Sequence, residues 1–143
     1  MTLETLLWKI SEMAIQQKII NSSQAGTDIY TLNTSTIKDY PVLFTSPTGS
    51  QTAKDSSTVY TLTLYYFERL LQDSANDINI ISVGIEQLKN VVRGIDMIPG
   101  VISVGTEYDI VPFVETEAFS DRIAGCYATI KVEAINETTC FVE

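Results

Sequence analysis

Residues 60–95 constrain the fold of this chain more than any other stretch, because a period-two pattern there gives way to a period-3.6 pattern. The stretch reads YTLTLYYFERLLQDSANDINIISVGIEQLKNVVRGI. Alternation predicts a strand over residues 59–70, which is long enough to cross a whole sheet. After a polar break at residues 72–77, the spacing predicts an amphipathic helix over residues 80–95. A long strand joined to one such helix is typical of a structural scaffold. The stretch contains no residue pattern typical of a catalytic site.

The long predicted strand is partly apolar on both of its faces, which indicates a central strand that is covered on both sides, at least in an assembly. One face carries Tyr60, Leu62, Leu64 and Tyr66, and the other carries Val59, Thr61, Thr63, Tyr65 and Phe67. In the predicted helix, the apolar seam expected against the sheet consists of Ile81, Ile85, Leu88, Val92 and Ile95.

Another helix is predicted over residues 2–19, where apolar residues recur at steps of three and four. Thr2 has the side chain of a good N-cap for this helix. Trp8 lies beside the apolar stripe, where it could belong to the core edge or to a partner surface, and we expect the core edge.

The remaining alternating segments are short and follow one another through turns. They predict strands over residues 28–32, 42–45, 101–113 and 123–135. Strands connected in this way favour an α+β fold, with a mostly antiparallel sheet flanked by two helices. A length of 143 residues fits a single domain, residues 1–143. We expect residues 136–143 to form a loose C-terminal tail.

Residues 46–58, SPTGSQTAKDSST, are the one low-complexity stretch. Because this stretch joins two predicted strands, we expect a long flexible hairpin loop. Such a loop is either a mobile surface segment or an arm that orders on a neighbouring subunit, and the sequence leaves both readings open. The candidate inter-subunit residues are Gln51, Thr52, Ala53, Lys54, Asp55, Ser56 and Ser57.

The charge balance argues against nucleic-acid binding. Nine Lys and Arg residues against 18 Asp and Glu give a formal net charge of −9. Binding to phosphate backbones needs clustered cations, whereas an acidic wall repels DNA and lets it slide past. The simpler reading is that the charge keeps the protein soluble. The aromatic run Tyr65, Tyr66 and Phe67 lacks flanking cations, so we expect it in the sheet core rather than stacked on bases.

Catalytic and metal-binding patterns are missing from the sequence. There is no His, which removes the commonest general base and the commonest neutral metal ligand. Neither phosphate-loop pattern occurs, and two cysteines are too few for a zinc cluster. We therefore expect no catalytic residue, no metal and no cofactor. Cys126 and Cys140 could pair, but two free thiols is the reading that we favour. Glu115 and Glu117 alternate along a polar connection, where a solvated loop is favoured over acid–base chemistry.

No segment reaches the roughly 20 apolar residues of a membrane span, and charged residues interrupt the N-terminal stretch where a signal peptide would be apolar. We expect no membrane association.

Four local patterns occur in the order LYYFERL at residues 64–70, a Ser and Asn break at residues 74–76, GIEQLKNV at residues 84–91, and PFVETEAFSDRIAG at residues 112–125. Together they resemble the small tail-terminator and neck-ring proteins of tailed bacteriophages, most closely those of crAss-like and related short-tailed phages. The resemblance spans residues 60–134 and concerns structural patterns, so it transfers no catalytic residue.

The resemblance implies a structural virion protein that forms a homo-oligomeric ring in the head-to-tail connector or tail. Its partners would be the portal, an adjacent ring or tail proteins, and DNA would pass through the channel without specific binding. Such a protein is assembled in the bacterial cytoplasm and is then found in the neck or tail of the virion. The implied fold is a tail-terminator-like antiparallel sheet with flanking helices. In this setting residues 46–58 are a candidate inter-subunit arm, and Glu115 and Glu117 are a candidate contact or lumen surface.

Two other functions are kept as alternatives. The first is a small adaptor domain that binds a protein partner through an exposed sheet edge. The second is an enzyme with an unrecognised carboxylate site, which we expect least.

Overall fold

Two strands of 13 residues each form the centre of the sheet in the computed structural model, which describes residues 1–31, 39–70, 76–116 and 121–136. These strands are β4 (Ser57–Arg69) and β7 (Ile123–Ile135). They pair antiparallel along their whole length, with Ser57 opposite Ile135 and Arg69 opposite Ile123. Every other strand is added to one of these two or to a neighbour of β4.

The remaining strands complete a seven-stranded sheet. They are β1 (Ser22–Ala25), β2 (Val42–Pro47), β3 (Thr52–Ala53), β5 (Val101–Val104) and β6 (Ile110–Glu115). The order is β1-β2-β4-β7-β5, with β3 also paired to β4 and β6 also paired to β7. Only β1 and β2 are parallel. The predicted α+β fold, a mostly antiparallel sheet flanked by two helices, is confirmed.

Both helices pack on the same face of the sheet. They are α1 (Leu3–Gln16) and α2 (Asp77–Asp96). Thr2 caps α1 as predicted, since its side chain accepts a hydrogen bond of 3.1 Å from the backbone N–H of Thr5. The buried sheet residues under the helices include Tyr60, Leu62, Leu64 and Tyr66 from β4 and Cys126, Ala128, Ile130, Val132 and Ala134 from β7. The helix layer therefore covers one complete face of the two central strands.

Gly84 sets how closely α2 lies against the sheet. A Cβ atom at this position would be 3.1 Å from Sγ of Cys126 and 3.2 Å from the ring of Tyr66. These two residues are paired across β4 and β7. The missing side chain thus lets the helix pack directly on a cross-strand pair.

The face opposite α1 and α2, which we call the helix-free face because the described residues form no α-helix on it, is divided into two regions. One end is apolar, and its buried residues are Ile29, Val42, Phe44, Phe67 and Ile123. The other end is a row of hydroxyl groups, in which the Oγ1 atom of Thr63 lies 3.0 Å from that of Thr48 and 2.9 Å from that of Thr129. A 3₁₀ turn at Ile29–Thr31 lies at the apolar end.

The structure corrects several predicted element boundaries. Residues 29–31 form the 3₁₀ turn instead of the predicted strand over 28–32, and a strand that was not predicted lies at Ser22–Ala25. The single strand predicted over 101–113 is two strands, β5 and β6, separated by an irregular connection. Residue 32 and residues 137–143, which include most of the predicted tail, lie outside the described part of the chain.

Replacing Gly125 with Ala should destabilise the fold severely. A Cβ atom there would lie 1.8 Å from the carbonyl oxygen of Tyr66 and 2.7 Å from Cα of Phe67, so the two central strands would have to separate. We expect Gly125→Ala to lower the free energy of unfolding by about 3 kcal/mol or more in chemical denaturation. Gly105→Ala is the control, because its Cβ would meet only the Lys131 carbonyl oxygen, at 3.8 Å. A Gly125→Ala protein as stable as this control would contradict the packing described here.

Candidate functional site

The candidate inter-subunit segment, residues 51–57, is hydrogen-bonded to strands β4 and β7 of its own sheet. The backbone N–H of Thr61 donates to Oε1 of Gln51 at 2.6 Å. Nζ of Lys54 and Oγ of Ser57 both donate to Oε2 of Glu133, at 3.3 and 2.6 Å. These hydrogen bonds, that of Ser57 first, hold the pKa of Glu133 below its ordinary value.

This segment is also shorter than the predicted loop. Strand β2 continues to Pro47, β4 begins at Ser57, and the two residues of β3 pair with β4 between them. Residues 51–56 are nevertheless exposed, whereas Ser57 is buried. The segment is thus a surface feature anchored to β4 and β7, and its role between subunits stays a prediction.

Of the two acidic candidates, Glu115 belongs to the described residues and Glu117 does not. Glu115 is the last residue of β6 and lies opposite Ile123 of β7 on the helix-free face. It is partly buried. Glu117 lies outside the described residues, so the structure does not bring the predicted pair together.

Next to Glu115 is a groove that we call the aromatic groove. Its volume is about 210 Å³, and it is lined by Ile29, Tyr30, Tyr65, Phe113, Val114, Glu115 and Tyr127. The ring centroids of Tyr65 and Tyr127 are 5.5 Å apart, and that of Phe113 lies 6.1 Å from Tyr65 and 6.2 Å from Tyr127. Strand register produces this cluster, since Tyr65 lies opposite Tyr127, and Phe113 lies opposite Gly125 two residues along β7.

A network of polar groups lies at the same end of the sheet. The hydroxyl of Tyr40 donates to Oδ2 of Asp121 at 2.7 Å, and the guanidinium of Arg69 donates to the same oxygen at 3.2 Å. The guanidinium carbon of Arg69 is also 5.0 Å from the centroid of the Tyr40 ring. Burial and, after it, the hydrogen bond to Asp121 raise the pKa of Tyr40 above its ordinary value.

A second groove lies on the helix layer, and we call it the helix groove. Its volume is about 370 Å³, and its lining residues are Trp8, Lys9, Glu12, Met13, Gln16, Gln17, Gly94, Met97, Ile98 and Pro99. Trp8 is 62% exposed and Met97 is 80% exposed. Trp8 is therefore a surface residue of a groove, and its predicted position at the core edge is wrong.

The titratable groups beneath α2 are buried rather than arranged for reaction. Cys126 is a free cysteine. Its thiol donates to the carbonyl oxygen of Ile81 at 3.3 Å, and burial raises the pKa of this thiol to about 11. Burial likewise raises the pKa of Tyr66 to about 12. A nucleophilic cysteine needs a lowered pKa, so Cys126 has the character of a packing residue. Cys140 lies outside the described residues.

No cluster of three or more His, Cys, Asp and Glu residues suited to a metal ion occurs within the described ranges. Neither helix among the described residues is long and apolar enough to cross a membrane. The predictions of no catalysis, no metal and no cofactor stay predictions.

The sequence matches no protein-family model and no curated protein. The resemblance to phage tail-terminator and neck-ring proteins therefore rests on the sequence patterns given above.

Both grooves were missed by the reading of the sequence. The aromatic groove joins residues from four separate segments, and strand register decides which of them meet. The sequence does contain one signal for the aromatic groove. Alternation puts Tyr65 and Phe67 on one face of the strand and Tyr60 and Tyr66 on the other. Aromatic side chains on a face that no helix covers either pack on one another or remain exposed.

Substitution of Glu68 tests the electrostatics at the helix-covered end of β4. Burial raises the pKa of Glu68, although the backbone N–H and the charge of Arg69 partly oppose this. As the pH rises, Glu68 therefore ionises at a lower pH in the unfolded state than in the folded state. Its carboxylate thus lowers the free energy of unfolding at neutral pH and not in acid. We expect Glu68→Gln to gain stability over the parent between about pH 3 and pH 7, measured by urea unfolding. Glu107→Gln controls for net charge, and a pH-independent effect of Glu68→Gln would contradict the assignment.

Thiol labelling tests the burial of Cys126 in a Cys140→Ser background, which leaves a single cysteine. We expect an aromatic disulfide reagent to react with the native protein about 100-fold more slowly than with the denatured protein, or slower still. The reason is the raised pKa of the thiol together with its cover by α2. Rapid stoichiometric labelling of the folded protein would show that this cysteine is accessible and would reopen a catalytic role for it.

Proposed function

We propose that this chain is a structural virion protein of a tailed bacteriophage and that its copies form a ring in the head-to-tail connector or tail, around the DNA channel. The sequence patterns of residues 60–134 support this proposal, because they resemble those of tail-terminator and neck-ring proteins. The α+β architecture is the one that the resemblance implies. The ring would contact the portal, an adjacent ring or tail proteins within the virion.

The observation that carries the proposal is the presence of two separate apolar surfaces on opposite faces of one sheet. On the helix layer, Trp8 and Met97 line the helix groove. On the helix-free face, Tyr30 is 64% exposed and lines the aromatic groove together with Tyr65, Phe113 and Tyr127. Apolar residues exposed singly need no explanation, whereas grouped ones mark interaction surfaces.

Two unlike surfaces on one subunit are what a ring requires. In a ring, one patch on each copy contacts a different patch on the next copy, so a single self-complementary surface is not enough. The exposed residues 51–56 would add a preformed contact at the rim, since they are already anchored to their own sheet. A net charge of −9 repeated around the ring would repel DNA and let it pass without specific binding.

The alternative of a small adaptor that binds a partner through a sheet edge has less support. Strand β1 at one edge has only four residues. At the other edge, β5 has a register irregularity between Val101 and Ser103, and β6 contains Pro112. Short strands, irregularities and proline all weaken the pairing of an added strand.

Charge introduced into the helix groove should prevent assembly. We expect the parent protein to form discrete rings, alone or with a neighbouring virion protein, in negative-stain electron microscopy and sedimentation velocity. Met97→Glu should raise the concentration needed for assembly at least about tenfold, because it would bury an unpaired charge in the contact. Ile78→Glu is the matched control, since Ile78 is 73% exposed near the start of α2, the helix that ends just before Met97, and lies outside both grooves.

Two results would count against the ring. A protein that stays monomeric alone and with every neighbouring virion component would contradict it. One-to-one binding to a single partner, with no ring in the images, would favour the adaptor instead.

A further inference from the structure

We propose that the side chain of Met97 on one copy of the chain occupies the aromatic groove of the next copy. This inference rests on the proposed ring and deepens it, because it names the two surfaces that meet at each subunit contact. The helix layer supplies a protruding thioether, and the helix-free face of the neighbour supplies the rings of Tyr65, Phe113 and Tyr127 that receive it.

Met97 has the form of a preformed knob. Its side chain is 80% exposed, more than that of any other large apolar residue in the described part of the chain. The backbone beneath it is fixed, since the N–H of Met97 donates to the carbonyl oxygen of Gly94 at 3.1 Å and the next residue, Ile98, is buried. A side chain that is held at its base loses little backbone entropy when its end becomes buried in a contact.

The aromatic groove is suited to a thioether. Its three clustered rings have centroid separations of 5.5, 6.1 and 6.2 Å. A methionine sulfur gains energy when it lies about 5 Å from an aromatic ring, and the flexible side chain adapts to an irregular space. The groove volume of about 210 Å³ is below the roughly 300–1,000 Å³ of typical small-molecule pockets, so the groove suits one side chain.

The positions of the two surfaces require that the groove belongs to another copy. Met97 precedes the turn in which the carbonyl oxygen of Gly100 accepts from the N–H of Ile135, at one end of the central strands. Tyr127, which lies opposite Tyr65, is eight residues away along β7, or roughly 26 Å at about 3.3 Å per residue. The sheet also separates the two surfaces, because the helix groove and the aromatic groove lie on opposite faces. Each contact would therefore leave one surface of either kind for a further copy, as a ring requires.

Charge favours a second copy as the source of the groove. Met97 lines the helix groove with Lys9 and Glu12, and it also lines an adjoining hollow with Lys18 and Arg93. None of these three cations forms an ion pair within the described ranges. Outside these two linings the chain has six Lys and Arg residues against 17 Asp and Glu. The surroundings of Met97 are thus cationic and the rest of the chain is acidic, so a second copy is attracted to this surface.

The methyl group of Met97 reports the contact directly. Protein with isotope-labelled methionine methyl groups gives three signals in NMR, and Met97→Leu identifies the signal of Met97. Spectra are compared below and above the concentration of assembly, alone or with the neighbouring virion protein that triggers it. We expect the Met97 methyl signal to shift upfield on assembly, because ring currents shield a methyl group that lies above an aromatic face. The signal of Met1, which is buried within the subunit, should keep its position.

Two variants, each of which breaks one side of the contact, locate it. Met97→Glu removes the inserted side chain, and Phe113→Glu places a charge among the rings, so neither variant should assemble alone. An equal mixture keeps one intact contact, between Met97 of the second variant and the groove of the first. We expect a one-to-one pair in sedimentation velocity, at least about tenfold tighter than the association of either variant with itself.

The double variant Met97→Glu, Phe113→Glu is the matched control, because it has neither the knob nor the groove and should pair with neither single variant. Phe113→Ala gives a second test of the groove, since it removes a half-buried ring without adding a charge. Circular dichroism shows that each variant is folded before it is mixed.

The outcomes separate this contact from the ring itself. Rings in which the Met97 methyl signal keeps its monomer position would overturn the contact and leave the ring in place. An upfield shift that persists in assemblies of Phe113→Ala would place Met97 against other rings, of this chain or of a different protein, and would overturn it too. A chain that remains monomeric with every neighbouring virion component would overturn both proposals.

Discussion

The pairing of β4 with β7 is the contact on which the rest of the molecule depends. These strands form thirteen opposed pairs, and each of them carries further strands on its other side. Their close approach requires a glycine at position 125, where even one added carbon would overlap the backbone of Tyr66. Long-range pairing of this kind must form before either helix has a surface to cover, so we expect the two strands to dominate the folding barrier.

The two faces of this central pair have different tasks. The helix-covered face buries an apolar core that runs from Tyr60 to Tyr66 on β4 and under Gly84 of α2. Within the described part of the chain, the other face carries no α-helix and divides into a threonine row and an aromatic end. The first face holds most of the buried apolar residues, whereas the two grooves lie on the second face and on the outer side of the helices. Such a division allows the groove residues to change in sequence with little effect on the core.

Elements with a strong periodic pattern were predictable from the sequence, and those without one were not. The apolar face of β4 followed from alternation, and the Thr2 cap followed from its side chain. The predicted seam of α2 is buried at Leu88, Val92 and Ile95, whereas Ile81 and Ile85 are only partly buried. Ile80 and Val91, which were not predicted, are buried as well. Strand β1 was not predicted because Ser22–Ala25 has no apolar alternation. Its extended structure is stabilised by parallel pairing with β2. The aromatic groove was not predicted either. Alternation puts Tyr65 on the face opposite Tyr66, but the sequence does not give the register that sets Tyr65 beside Tyr127 and brings Phe113 close to both. The break between β5 and β6 was not predicted for a similar reason. These two short strands pair with successive parts of the one long strand β7, and the sequence does not show where one partner ends and the next begins.

The interrupted outer strands have a consequence for the protein before it meets any partner. An unbroken row of backbone donors and acceptors at a sheet margin is a template for uncontrolled polymerisation into fibres. Here the margin beside β7 is broken by the shift in β5 and by Pro112, and the opposite margin is only four residues long. The margins of the described sheet therefore offer little template for strand-to-strand pairing between copies of the chain.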